Sequence, residues 1–316
     1  MAASFLLGSL TPLQVSMLGA LVAYVGTFLL LNKQFDFLPR DHGRAHAVNG
    51  QFSKGKLRGV GLIITVWFIV TALLFVNLSL EFVLFLVLLF AVMLSGYLDD
   101  ASEVPWKDYK KGLIDLIICI AYMATFIRYN PTDIMIFNTQ VHLHPVLYFV
   151  LGIVLIWASI NVTNCSDGVD GLCGSLSFVT IVAYGLLFGG VLGGYFSATM
   201  ILAGCILAYL YFNSNPSSML MGDAGSRAFG FFIAVLAMKS QHPFSFLLLA
   251  LVMIIDGGLG LIKIFLLRFL KIRILAHTRT PIHDELRKNR NWSDTQVVNR
   301  FVIFQLVCVI LYCVIV

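Results

Sequence analysis

Four polar stretches of this chain hold the residue types that do chemistry: GYLDDASE at 96–103, NCSDGVDGL at 164–172, FNSNPSSMLMGDAGS at 212–226 and RTPIHDELRKN at 279–289. They supply the carboxylates Asp99, Asp100, Asp167, Asp170 and Asp223, the amides Asn164 and Asn213, and His283. So many carboxylates, with Lys54, Lys111 and a histidine, match the needs of phosphoryl transfer with a magnesium ion. Mg²⁺ takes one or two carboxylates and completes its octahedron with water and phosphate oxygens. Lysines hold the remaining oxygens, and a spare carboxylate can take a proton from the attacking group.

Each stretch also has a plainer explanation. Asp100-Ala-Ser-Glu103 can form a capping box for a following helix, although that leaves Asp99 unexplained. Two anions at a helix C-terminus oppose the macrodipole by about 0.3–1 kcal/mol each, so they ask for a cation. Asp167 and Asp170 sit in Asp-Gly pairs that make ordinary turns, and Asp170 can cap the helix that begins near Leu172. Asp223 lies in MGDAGS, again a turn, but Gly222 and Gly225 let the backbone approach a ligand closely beside Ser226. His283 is either a solvated loop residue or part of a structured segment lying on a membrane surface.

The elements that must position these groups are membrane helices. The chain has 316 residues, 59% of them hydrophobic and 12% charged, with a mean hydropathy of +0.91. Apolar runs of the length needed to cross hydrocarbon lie near 13–31, 60–77, 80–98, 113–128, 146–160, 176–189, 198–213, 227–239, 244–268 and 300–316. The expectation is an all-α polytopic membrane protein of about ten helices, with residues 1–316 forming one domain. The first run, without a basic leader or cleavage site, reads as a retained helix. Numbering the loops alternately gathers the basic residues of 32–58 (Arg44 among them), 107–111, Arg227 and 268–300 on one side, leaving Arg128 and Lys239 on the other. Under the positive-inside rule the crowded side is cytoplasmic, both termini are extracytoplasmic, and all four polar stretches face the cytoplasm. The net charge of +5 reflects topology and anionic headgroups, not a nucleic-acid partner. The six cysteines read as packing residues; Cys165 and Cys173 alone are a weak zinc signal. In 244–268, Gly257 and Gly258 mark an expected kink that would open a groove toward lipid.

Taken together the motifs resemble the polyprenyl-phosphate N-acetylhexosamine-1-phosphate transferases, over most of the chain from FSK at 52 to NRF at 299. GYLDD is similar to the family's aspartate pair, KGL at 111–113 to its lysine loop, NCSDGVDGL to its Asn-x-x-Asp-Gly-x-Asp-Gly loop, and FN with MGDAGS to its later elements. The ending PIHDEL, NW and VVNRF resembles the branch that handles phospho-MurNAc-pentapeptide rather than GlcNAc-1-phosphate.

The resemblance implies a ten-helix fold, often dimeric, in the bacterial inner (plasma) membrane. It also implies Mg²⁺-dependent transfer of phospho-MurNAc-pentapeptide from UDP-MurNAc-pentapeptide to undecaprenyl phosphate, giving lipid I and UMP for peptidoglycan. Residue by residue, Asp99 and Asp100 become a candidate base and its partner, Asp223 the magnesium ligand, and His283 a catalytic histidine. Asn164, Asp167, Asp170, Asn213, Gly222 and Ser226 become substrate contacts, and Lys54 and Lys111 phosphate contacts. Three departures stand out: Asp284 and Glu285 replace two of three consecutive histidines, GKLRGVG replaces TPTMGG after Lys54, and Leu220 replaces an aromatic that stacks on uracil. The rival readings are the GlcNAc-1-phosphate sister enzyme and a transporter, which would place its polar groups near the bilayer midplane in two related halves.

Overall fold

The computed structural model describes residues 10–33, 35–41, 43, 50–104, 106–136 and 139–315; the N-terminal stretch before Leu10, expected from sequence to carry no cleaved leader, and Arg44 lie outside them. The helices are α1 Pro12–Asn32, α2 Gly61–Phe75, α3 Leu80–Asp100, α4 Asp108–Tyr129, α5 Pro145–Cys165, α6 Leu172–Leu192, α7 Gly194–Asn213, α8 Gly222–Lys239, α9 Leu251–Leu270, α10 Ile282–Arg290 and α11 Asp294–Ile315. Local sequence starts several of them. Thr11 and Gln14 form a capping box ahead of Pro12 in α1, and the Ser79 hydroxyl accepts the Phe82 N–H at the start of α3. A small antiparallel hairpin, β1 Asp133–Ile136 with β2 Thr139–His142, interrupts the helical pattern.

All ten apolar runs fall in helical segments, but they are not alike. Among the described residues seven helices are long and apolar enough to cross a membrane, and the bent pair Pro243–Leu249 with α9 brings the number to eight. The other two are α2, only 15 residues long, and α8. Helix α8 carries Asp223, Arg227 and Lys239, yet every residue from Gly222 to Met238 is buried. It is the central post of the bundle, packed against α2, α3, α5 and α6, so its charges meet protein groups instead of lipid. Around its middle, Phe231 stacks on Phe85 with ring centroids 6.0 Å apart, and Phe232 meets Phe68 edge-on at 5.7 Å.

The kink expected at Gly257 and Gly258 is displaced. The chain breaks at Ala250 (φ −121°, ψ 17°), bending by 71°, while Ile254–Gly258 is a π-helical stretch. Gly257 serves close packing: a Cβ there would come within 2.7 Å of the Val162 carbonyl oxygen on α5.

Two glycine contacts seat the first turn of α8. A Cβ on Gly61 of α2 would lie 2.1 Å from the Gly225 nitrogen, and one on Gly96 of α3 would lie 2.4 Å from the Asp223 carbonyl oxygen. Both neighbours are backbone and cannot swing away. Gly96→Ala should therefore push α3 off α8 and destabilise the protein by about 1–3 kcal/mol, the usual range for overpacking. A thermal melt in detergent checks this; a wild-type midpoint would show that the contact is dispensable.

Candidate active site

Asp99 and Asp100 occupy the last turn of α3, an unfavourable place for carboxylates, and neighbouring elements compensate both. One Asp99 oxygen accepts the Trp106 N–H at 2.8 Å and the other pairs with the Lys111 ammonium. Asp100 accepts the Arg58 Nε–H at 2.8 Å on one oxygen and the Ala224 N–H at 3.2 Å on the other. Ala224 is in the first turn of α8, whose own N-cap, Met221, has no side-chain acceptor. Asp100 thus satisfies an amide that α8 would otherwise leave unpaired. The capping-box explanation fails, because the Asp100 carboxylate is spent on Arg58 and α8, and α4 starts from Lys107. Gly222 is required here twice: its φ is +67°, and a Cβ would fall 2.2 Å from Asp100 Oδ2.

Asp223, also in the first turn of α8, completes the cluster. Its Oδ2 accepts from Lys111 Nζ at 3.2 Å and its Oδ1 lies 3.5 Å from Arg58 Nη2. Lys111 therefore bridges Asp99 and Asp223, while Arg58 bridges Asp100 and Asp223 and reaches Asp41 at 3.4 Å. One turn along α8, Ser226 Oγ donates to the Gly222 carbonyl at 3.0 Å and accepts from Asn164 Nδ2 at 3.0 Å. The tertiary structure thus brings together Asp99, Asp100, Lys111, Asn164, Gly222, Asp223 and Ser226 at one end of the bundle.

The remaining sequence candidates have other positions. Asp170 accepts from Lys56 Nζ at 3.2 Å and the Ser217 N–H at 2.9 Å, tying the 166–171 loop to the 214–221 loop. Asn213 is buried and makes the same tie, accepting the Gly171 N–H and donating to the Met219 carbonyl, both at 2.9 Å. Both its bonds go to backbone, so it holds loops. Asp167 is half-buried in the same loop. Lys54 is exposed and forms no ion pair among the described residues. Leu220 pairs its backbone N–H with the Leu57 carbonyl at 2.8 Å.

His283 is buried and does not touch the Asp99, Asp100 and Asp223 cluster. Its N–H and Nδ1 both face the fully buried carboxylate of Asp256, at 2.8 Å each, and its Nε2 lies 3.9 Å from Asp284. The two acidic residues that follow fold the segment. Asp284 pairs with Arg287 at 2.8 Å, and Glu285 accepts the Arg279 N–H at 2.7 Å. Glu285 is held below the usual carboxylate range by its bonds from Asn289 and Arg279. Burial works against the Arg287 charge, but bonds to Asp284 and Asp294 raise its pKa above the ordinary value.

Sequence reasoning missed Lys56 and Arg58 as site residues. The signal was there: in KLR at 56–58, Leu57 is buried, so its extended-chain neighbours project to the opposite side. Their backbone is clamped between 39–41 and 219–221, with Arg58 N–H on the Pro39 carbonyl at 2.8 Å and Asp41 N–H on the Lys56 carbonyl at 2.9 Å. Burial alone would lower the Arg58 pKa, but Asp100, Asp223 and Asp41 outweigh it and hold the guanidinium above its ordinary value. Also missed were Asp256, read only as part of a kink region, and Asp115.

The donor set suits a hard divalent cation. Among the described residues no group of three His, Cys, Asp or Glu encloses a metal by itself, but Mg²⁺ asks for only one or two carboxylates when phosphate oxygens complete its shell. Asp223 meets that requirement, with Asp99 joined to it through Lys111. The six cysteines are free thiols.

Below this layer lies a second. Asp115 is four residues beyond Lys111 on α4 and Arg227 four beyond Asp223 on α8, and the two form a buried ion pair. Arg227, counted from sequence as an orientation determinant, is therefore interior. Asp115→Leu alone should strand a buried charge and cost about 3–5 kcal/mol, while Asp115→Leu with Arg227→Leu should restore most of the loss. Melting midpoints of both variants decide; a double variant as unstable as the single one would overturn the pairing argument.

Comparison with known proteins identifies the family. The family model described as Glycosyl transferase family 4 matches residues 82–241, a span that includes the α3, α4, α5 and α8 parts of the cluster. A phospho-N-acetylmuramoyl-pentapeptide-transferase of Treponema pallidum is 38% identical, covering 92% of this chain and 87% of its own length. Proteins of the same name from Dictyoglomus thermophilum (31% identical, 69% of this chain and 71% of theirs) and Thermotoga petrophila (28%, 76% and 79%) also match. The chain belongs to glycosyl transferase family 4 and is a membrane transferase similar to the phospho-N-acetylmuramoyl-pentapeptide-transferases.

Proposed function

We propose that the protein transfers phospho-MurNAc-pentapeptide from UDP-MurNAc-pentapeptide to undecaprenyl phosphate, giving lipid I and UMP, at the cytoplasmic face of the bacterial inner membrane. The observation that carries this reading is the joining of Asp99 and Asp223 by Lys111 at one end of the helix bundle, in a chain whose relatives bear the pentapeptide-transferase name. The orientation inferred from the basic loops supports both termini lying outside and ten crossings, with α8 crossing inside a sleeve of other helices. Association into a homodimer is part of the same proposal. A transporter would be expected to keep its polar groups midway along the helices; this cluster is at their ends.

In the mechanism favoured here, the lipid phosphate oxygen attacks the sugar-bearing phosphorus of the donor, and the bond from that phosphorus to UMP breaks. Asp99 accepts the proton carried by the lipid phosphate. Its two oxygens are already aimed by Trp106 N–H and Lys111. Lys111 stands between Asp99 and Asp223, where it can hold a diphosphate oxygen. Asp223 would hold Mg²⁺, which when bound neutralises charge on the diphosphate. Asn164, held by Ser226, flanks Asp223 as a donor for the nucleotide-sugar side. Lys54, exposed on the neighbouring loop, is the proposed contact for an incoming phosphate. His283, fixed by Asp256, packs against Gly168 of the 166–171 loop.

The test is UMP release by purified protein in detergent with undecaprenyl phosphate, Mg²⁺ and either UDP-MurNAc-pentapeptide or UDP-GlcNAc. The expected result is release with the muramyl donor alone, reduced by at least about a hundredfold in Asp99→Asn and Asp223→Asn and abolished by EDTA. Release with UDP-GlcNAc alone would move the protein to the sister activity. Exchange of label between UMP and the UDP-sugar without lipid acceptor would replace direct attack with a phospho-aspartyl route.

A further inference from the structure

The three nitrogens of the Arg58 guanidinium each face a different carboxylate: Nε on Asp100 at 2.8 Å, Nη1 on Asp41 at 3.4 Å and Nη2 on Asp223 at 3.5 Å. One positive charge thus serves three negative ones. Two of the contacts are long, and Asp41 keeps a buried oxygen, Oδ2, with no hydrogen-bond partner among the described residues. Asp100 has no exposed side-chain surface, whereas the Arg58 side chain is 22% exposed. The guanidinium is therefore held most closely at Nε, with its two Nη groups on the longer contacts to Asp41 and Asp223. A planar fork of this kind binds phosphate oxygens bidentately. The extended backbone of 56–58, clamped on both sides, leaves the side chain as the part free to move.

We propose that Arg58 is an internal counter-cation: in the free protein it competes with a divalent ion for Asp223, and on donor binding its Nη edge transfers to the diphosphate. Metal and donor then bind interdependently, because the donor draws Arg58 off the carboxylate that the metal needs. The inference rests on the proposed diphosphate donor, but its metal half stands apart from turnover. A lone carboxylate cluster would bind the metal whether or not donor were present. A cluster already paired by Arg58 binds it weakly until phosphate arrives, so that ion and substrate enter as a unit.

The experiment measures Mn²⁺ binding by the full-length protein in detergent, read by electron paramagnetic resonance without nucleotide, in wild type, Arg58→Met and Arg58→Lys. The same proteins then give KM for the UDP donor at saturating Mg²⁺. The expected result is Mn²⁺ binding roughly tenfold tighter in Arg58→Met, within the usual range for coupled sites, together with a KM raised by a similar factor. Arg58→Lys keeps the charge but loses the fork, so it should shift both quantities the same way by less, and it carries the test where Arg58→Met does not fold. Mn²⁺ binding no tighter than wild type in the folded variants overturns the competition. A lowered kcat with unchanged KM overturns the phosphate contact and leaves Arg58 a structural residue. If the wild type releases UMP from neither donor, the substrate reading fails, and the Mn²⁺ comparison alone decides the competition.

Discussion

Everything in the site depends on one contact, the meeting of the C-terminus of α3 with the N-terminus of α8. Asp100 gives α8 the acceptor that Met221 cannot, binding the Ala224 N–H at 3.2 Å, and Gly96 and Gly222 let the two backbones come close enough for it. The arrangement sets the negative end of one helix dipole beside the positive end of another. Carboxylates that α3 alone would disfavour become favourable there. Asp99 and Asp223, far apart in sequence, can then share Lys111.

The cations of the site come from two segments with different roles. Lys111 lies in the first turn of α4 and is placed by a helix, with the buried pair Asp115 and Arg227 one turn deeper to keep α4 and α8 in register. Arg58 lies on an extended segment held by backbone bonds to both neighbours. Buried charges of this kind are tolerated only when paired, which is why α8 can be polar at both ends and still run through the middle of a membrane protein. Its far end repeats the solution: Lys239 pairs with Glu81 at 3.2 Å and donates to Asn130 at 2.6 Å.

The segment from Arg279 to Asp294 works through packing. His283 and Asp256 fasten α10 to the broken span, and Arg287, paired within the helix to Asp284, fastens it to Asp294 and to the Gly168 carbonyl. Asp284 and Glu285, which stand where the family has histidines, thus have jobs that acidic side chains do well: pairing with arginine and accepting backbone N–H groups.

The sequence by itself determined the class of fold, the placing of the helices and most of the carboxylates of the site, because hydropathy and loop charge are local quantities that need no partner to be read. Loop charge and the resemblance of its motifs to the family also put Asp99, Asp100, Asp223 and Lys111 among the candidates for one site, alongside Lys54, Asp167, Asp170 and His283. Only the tertiary structure decided which of these touch, that Asn213 and Asp170 tie loops together, that Lys56 and Arg58 rather than Lys54 reach the carboxylates, and that Arg227 is an interior partner of Asp115. The chain also breaks at Ala250 instead of the glycine pair. These depend on which helix faces meet and how closely backbones approach, and one chain's local pattern carries no information about the surface it will be pressed against.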